Sequence, residues 1–212
     1  MKRQHFTLVE LLVVIGLIAI LAGILIPAVN GALKKADETK AKAQITTLLN
    51  AIKQFEATYG YLPIPNGYSE GTNLTDNQYS DLIAMLQGVY HELPSSGPEP
   101  KQHNSWGANS DGAINPNTSR QQFLEVVGGD DERGQYLDPW GNRFFVVFDG
   151  ATDGRISNIT IDGVTSAAIP NLYQSVAIWS LGANQGDTSH KDNVYSFPVE
   201  WDKTNEYYKL GK

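Results

Sequence analysis

The sequence predicts an α+β fold in which one long amino-terminal helix carries a small antiparallel β-sheet head. Three observations predict it. An apolar run without a charged side chain spans Leu11–Val29. A helical apolar pattern continues it to Tyr59, and strand-like segments punctuated by turn residues gather late in the chain, between Arg143 and Leu181.

The apolar run comes first in the argument. Counted from Phe6 to Val29 it is 24 residues, enough to cross a hydrocarbon layer of about 30 Å at about 1.5 Å per residue. Lys2 and Arg3 precede it, which places Met1 in the cytoplasm and residues 30–212 outside, although Lys34 and Lys35 stand on the far side. A cleaved signal peptide has a shorter apolar core that ends in a loop. Here the pattern runs on: Ile45, Leu48, Leu49, Ile52, Phe55 and Tyr59 recur at helical spacing before Gly60 and Pro63 stop it. A single helix over 6–59 would be about 80 Å long, apolar all round over 6–29 and amphipathic over 30–59. Residues 60–212 form the head.

Glu10 lies inside the apolar stretch. A charged side chain near the middle of a membrane helix costs about 2.5–3.5 kcal/mol, and less near an interface. It is read either as a carboxylate kept wet by nearby headgroups or as one that meets a cation from another chain.

Charge is divided unevenly. Residues 1–59 carry 7 Lys/Arg against 4 Asp/Glu, whereas 60–212 carry 9 against 19. An acidic head argues against nucleic-acid binding, which wants a basic face. With no cysteine, the chain has no disulfide, thiolate metal site or cysteine nucleophile. His91, His103 and His190 lack metal-ligand spacing, and neither a nucleophile elbow nor a phosphate-binding loop is present. The expectation is that the chain is not an enzyme and requires no cofactor.

In the head, 79–90 reads as a short helix with Leu82, Met85 and Leu86 on one face. Residues 92–118 read as a long loop, with Trp106 and several asparagines. It is taken as a cover for the sheet, a lateral contact or an adhesion surface. Phe123–Val127 reads as a helical turn or a short strand. Strands are expected at Arg143–Phe148, Arg155–Ile161 and Ser175–Leu181, joined by short turns into one sheet that buries the helix's apolar stripe. Asp149–Gly154 is oxygen-rich but reads as a hairpin turn. Asp130, Asp131 and Glu132 read as a solvated charge run.

Two motifs carry a resemblance. Phe-Thr-Leu-Val-Glu heading the apolar run, after a short basic leader, resembles the class III signal of type IV pilins and of the pseudopilins of type II secretion. Asp138-Pro139-Trp140-Gly141-Asn142, followed by Ser180-Leu181-Gly182-Ala183, is similar to the carboxy-terminal region of the major pseudopilin of type II secretion. The resemblance implies the pilin fold, with a 1–5 leader removed by a prepilin peptidase between His5 and Phe6 and methylation of the new terminus. His5 stands where the family normally has glycine.

It further implies that Glu10 neutralises a neighbouring subunit's terminal amine. Gly16, Gly23 and Pro27 would allow part of the helix to extend in a filament; Gly costs up to about 1 and Pro about 3 kcal/mol inside a helix. The implied partners are further copies in a helical filament, the inner membrane, minor pilins and an assembly platform with its ATPase. The head would be extracytoplasmic, and the assembled filament periplasmic or extracellular. In the family the loop after the second motif binds calcium, for which Asp187 and Asp192 are the candidates here, although Asn184 and Gln185 replace an Asp-Gly pair and Lys191 could act as an internal counter-ion. For the Asp138–Asn142 motif the residues themselves favour a structural role, with Pro139 and Gly141 setting a turn, Trp140 anchoring the core and Asn142 satisfying backbone groups. The alternative reading of the whole chain is a non-polymerising, membrane-anchored binding or adhesion domain.

Overall fold

The structure is a computed structural model that describes residues 8–88, 117–126, 136–159, 169–183, 192–202 and 207–210. The chain divides into two compact units, residues 1–39 and 40–212. Helix α1 (Leu8–Tyr59) begins in the first and ends in the second.

In the first unit the described part of the helix is exposed on every side. Every described residue from Leu8 to Ala36 is exposed apart from a half-covered Ala22. Leu8 is 79% and Ile24 72% exposed. At about 25 cal/mol per Å² of apolar surface, water is a poor solvent for such a segment. By length and composition it can cross a membrane. The helix runs through Gly16, Gly23 and Pro27 without interruption in this single chain. Where charge returns, Lys35 pairs with Glu38 at 2.8 Å on one helical face.

In the second unit α1 buries one stripe: Ala41, Ile45, Leu48, Ala51, Ile52 and Phe55. Leu49 and Tyr59 are half-buried at its margin. The two alanines belong to the stripe although their small side chains gave no apolar signal. Gly60 ends the helix, its N–H donating to the Glu56 carbonyl at 2.8 Å.

Helix α2 (Asp76–Gln87) starts three residues before the expected 79 and stops three before 90. The start is chemical rather than apolar. Thr75 Oγ1 accepts from Gln78 N at 3.3 Å, and Gln78 Oε1 accepts from Thr75 N at 3.0 Å, a reciprocal capping box. The stop is Gly88, whose N–H donates to the Met85 carbonyl at 3.2 Å. More than one face is buried: Tyr79, Ser80, Asp81 and Ile83 are covered as well as Leu82, Met85 and Leu86. Phe123–Val126 is neither helix nor strand. The N–H groups of Phe123 and Leu124 both donate to the Leu86 carbonyl, at 2.7 and 2.9 Å, so this segment closes the end of α2.

Seven strands are described: β1 (Phe145–Phe148), β2 (Ile156–Ile159), β3 (Ile169–Leu172), β4 (Val176–Ser180), β5 (Val194–Tyr195), β6 (Val199–Asp202) and β7 (Tyr207–Leu210). The three expected strands exist, but they do not form one sheet. β1 pairs with β4, and β4 with β5, in an antiparallel order β1-β4-β5; β2 pairs with β3, and β6 with β7. The expected hairpin at 149–154 is therefore corrected: it links two sheets. Its register partners lie elsewhere, with Phe145 opposite Trp179 and Phe148 opposite Val176.

This topology makes β4 central, and all five of its residues are buried. On one face Val146, Phe148, Val176 and Ile178 pack with the α1 stripe and α2. On the other, Val147, Ala177 and Trp179 pack with Ile156, Ile159, Leu172 and Phe197. Trp179 stacks on Phe145 with ring centroids 5.5 Å apart. The outer edge of β1 is covered: Val146 O accepts from Leu74 N at 3.2 Å. The Tyr68 hydroxyl accepts from Phe148 N at 2.8 Å and donates to Phe148 O at 3.0 Å.

Asp81 gives the head a pH dependence. It is 6% exposed, and burial raises its carboxyl from 3.8 to about 7. The folded chain then holds a proton that the unfolded chain releases. Across the window between those two values, stability should fall as pH rises, by at most about 1.4 kcal/mol per unit. Asp81→Asn should flatten that fall and be the more stable protein at alkaline pH. Parallel denaturant titrations across pH with identical slopes in both proteins would refute it.

Candidate functional site

Two places concentrate the residues singled out by sequence. The first is the exposed apolar part of α1, with Glu10 in its first turn. His5 and Phe6 lie outside the described residues.

The second is built where the Asp138–Asn142 turn meets the end of β4. Leu137 and Arg143 bridge as an antiparallel pair, and the chain between them reverses. Gly141 N donates to Asp138 O at 3.0 Å, and Asp138 N donates to Asn142 O at 2.7 Å. Asp138 organises the turn from inside. Its Oδ1 accepts from Trp140 N at 3.0 Å and from Asn142 N at 2.8 Å. Asn142 Nδ2 donates to Trp140 O at 3.1 Å, the expected satisfaction of a loop backbone group. Trp140 is half-buried at the margin of the cluster that packs on α1 and α2, whereas the fully buried Trp179 belongs to the cluster on the opposite face of the sheet.

The remaining oxygen of Asp138 reaches across. Ser180 Oγ donates to Asp138 Oδ2 at 2.6 Å, a bond between residues 42 apart in sequence, and accepts from Gly182 N at 3.1 Å. Both side chains are buried, Asp138 at 5% and Ser180 at 0% exposure. Burial pushes the Asp138 carboxyl above its ordinary value, while Ser180 and the turn's N–H groups pull it back. One carboxylate thus ties the first sequence motif to the second. Nothing local in Asp-Pro-Trp-Gly-Asn indicates a partner 42 residues on.

Beyond Ser180 the chain turns at Gly182, which has φ +72°. A Cβ there would lie 2.8 Å from the Asp192 carbonyl carbon and collide with its oxygen. Gly182 therefore lets the backbone at 182 and at 192 approach closely. Asp192 sits at this junction and Asn193 is buried beside it, its Nδ2 donating to Tyr195 Oη at 3.0 Å. Asp187 lies outside the described residues. Among the described residues no three His, Asp or Glu side chains gather as metal ligands. Of the two candidate carboxylates the described residues include Asp192; calcium takes six to eight oxygens, carboxylate and carbonyl together.

The other oxygen-rich turn is accounted for by its own backbone. Asp149 is 2% exposed; Gly154 N donates to its Oδ2 at 2.7 Å and Asp153 N to its Oδ1 at 3.3 Å. Asp153 pairs with Arg155 at 2.8 Å. Asp130, Asp131 and Glu132 fall outside the described residues, as does the 92–118 loop up to residue 116.

Comparison with known proteins finds relatives of the chain. The chain is 28% identical over 106 residues to the type II secretion system core protein G of Aeromonas hydrophila, covering 50% of this chain and 62% of that one. It is 26% identical over 180 residues to the core protein G of Pectobacterium carotovorum, covering 85% of this chain and 86% of that one. It is 46% identical over 58 residues to the major component of the type IV wide pilus of Thermus thermophilus, covering 27% and 41%. The chain thus spans under two thirds of the first and third of these relatives. No family model and no solved structure matches it. The relatives are named for parts of a secretion system and of a pilus, not for a reaction.

Proposed function

We propose that this chain, which is similar to type IV pilins and type II secretion pseudopilins and has a long-helix α+β fold, is a structural filament subunit. It inserts in the inner membrane, loses residues 1–5 to a prepilin peptidase, and polymerises through residues 6–59 with the head outside. The observation that carries this reading is the exposure of the described apolar part of α1 from Leu8 to Val29, Ala22 alone being half-covered. That surface needs either lipid or the same helix of other copies. In the bilayer the helix satisfies its own backbone, as a spanning segment must. In a filament the apolar helices cover one another, and a new amine at Phe6 meets Glu10 of a neighbour in low dielectric, where their attraction far exceeds its value in water. Gly16, Gly23 and Pro27 are the positions at which α1 would extend on assembly. The protein does mechanical work as an added unit; energy, platform and minor subunits come from elsewhere.

The intact mass of the protein from its native membrane or fibre fraction tests this. Loss of residues 1–5 with gain of one methyl group is the expected result. An intact amino terminus would show that His5 blocks the cut, and would favour a membrane-anchored domain that does not polymerise.

We propose calcium as the occupant of the loop after β4, with Asp187 and Asp192 its carboxylates. The expected outcome is a lower melting temperature for the full chain in chelator than in calcium. Equal melting would assign the loop's order to Lys191 and hydrogen bonds instead.

A further inference from the structure

The dipeptide Asn-Gly occurs twice in this chain, at Asn30-Gly31 and Asn66-Gly67, and the fold treats the two in opposite ways. Asn30 and Gly31 lie inside α1, where the Gly31 N–H belongs to the i→i−4 ladder. Asn66 and Gly67 are the exposed central residues of a four-residue turn, closed by Tyr68 N donating to Pro65 O at 3.3 Å. Gly67 has φ +69° and open space around the position of a Cβ. That is the conformation a turn with positive φ at its third residue requires. The one bond to Asn66 among those described is long and uses its backbone carbonyl, which accepts from Gln78 Nε2 at 3.3 Å. Asn66 itself is exposed, and among the described bonds none uses its side-chain amide.

We propose that Asn66 is a site of spontaneous deamidation and isoaspartate formation, while Asn30, with the same neighbour, is protected by its helix. The chemistry is intramolecular. The Gly67 nitrogen attacks Cγ of Asn66, the N–Cγ bond forms, and the Cγ–Nδ2 bond breaks. The displaced nitrogen leaves as ammonia, taking the Gly67 proton. Water then opens the resulting succinimide at either carbonyl, giving aspartate or isoaspartate. Glycine matters because no side chain hinders its nitrogen, and asparagine is among the thermolabile residues. In α1 the same attack would first require Gly31 to leave the helix.

The position gives the reaction a consequence. Isoaspartate adds one methylene to the backbone two residues before Tyr68, whose hydroxyl bridges the N–H and carbonyl of Phe148 on the outer edge of β1. Each conversion also adds a negative charge to an already acidic head. Asn66 is thus an ageing site in the segment that shields the sheet edge.

Incubating the purified full-length chain in mild detergent at physiological temperature and mildly alkaline pH, in heavy-oxygen water, tests this by peptide mass mapping. The expected result is labelled aspartate and isoaspartate at position 66, with Asn30 slower by roughly tenfold or more because it must wait for local helix opening. In strong denaturant the two rates should converge, and Asn66→Gln should abolish conversion at 66. The proposal is overturned if Asn30 and Asn66 convert equally fast in the folded chain. It is equally overturned if Asn66 keeps its amide over a period in which the denatured chain loses it.

Discussion

Glu10→Ala is expected to leave the protein in the membrane and to abolish fibres that can be sheared from the cell surface. Insertion survives because the substitution makes an already sufficient apolar segment more apolar. A carboxylate at this depth opposes insertion by up to about 2.5–3.5 kcal/mol, so its removal can only help that step. Assembly is a different matter. Under the proposed function Glu10 receives the amine of the neighbouring subunit, and without it each added copy would bring a cation into an apolar filament core with no counter-charge. Leaving one partner of a buried pair behind is costly, about 3–5 kcal/mol. Repeated at every subunit, that cost stops growth. Glu10→Gln keeps the shape and removes the charge, and should fail in the same way. Membrane fractionation with shearing of surface fibres reads both steps together. Normal fibres from either variant would remove Glu10 from assembly.

The second large effect is expected in the head. Asp138→Ala withdraws the acceptor shared by Trp140 N, Asn142 N and Ser180 Oγ. A buried donor left without an acceptor costs about 1–3 kcal/mol. Part of that is recovered by water at the half-exposed turn, so the net loss should be about 3–5 kcal/mol, comparable with a large core truncation. Asp138→Asn retains an acceptor toward the turn, and the Ser180 hydroxyl can rotate to accept from the new amide. It should cost about 1 kcal/mol. Denaturant unfolding of the full chain in detergent distinguishes them. Equal, small losses for both would mean that the turn holds without Asp138.

Much of the fold was legible because its signals are local. The capping box at Thr75 and Gln78 was equally local, but apolar periodicity alone starts α2 later, at Tyr79. RFFVVF and SVAIWSL announce β1 and β4 by their aromatic and β-branched content. β3 and β5 carry weaker signals: the first contains Pro170, and the second is two residues long. Short strands are set by the neighbours that receive their hydrogen bonds more than by their own composition. The same holds for pairing. Consecutive strands were expected to be neighbours, yet β1 and β4 pair and bury β4 on both faces. At the candidate site the motif residues were all visible. The Ser180–Asp138 bond was not, since it exists only after two distant segments have packed.

The sequence by itself determined the apolar helix, the placing of Glu10 within it, and the likeness to pilins and pseudopilins. The first two follow from the order of residues along one segment, because a helix satisfies its own backbone and its need for an apolar environment is a sum over its own side chains; the likeness follows from two short motifs, each legible in the order of its own residues. Only the tertiary structure decided that β4 is the central strand, that Asp138 closes on Ser180, and that Gly182 lies against Asp192. Those outcomes depend on burial and on hydrogen bonds between distant residues, which have no energy until the chain has folded around them.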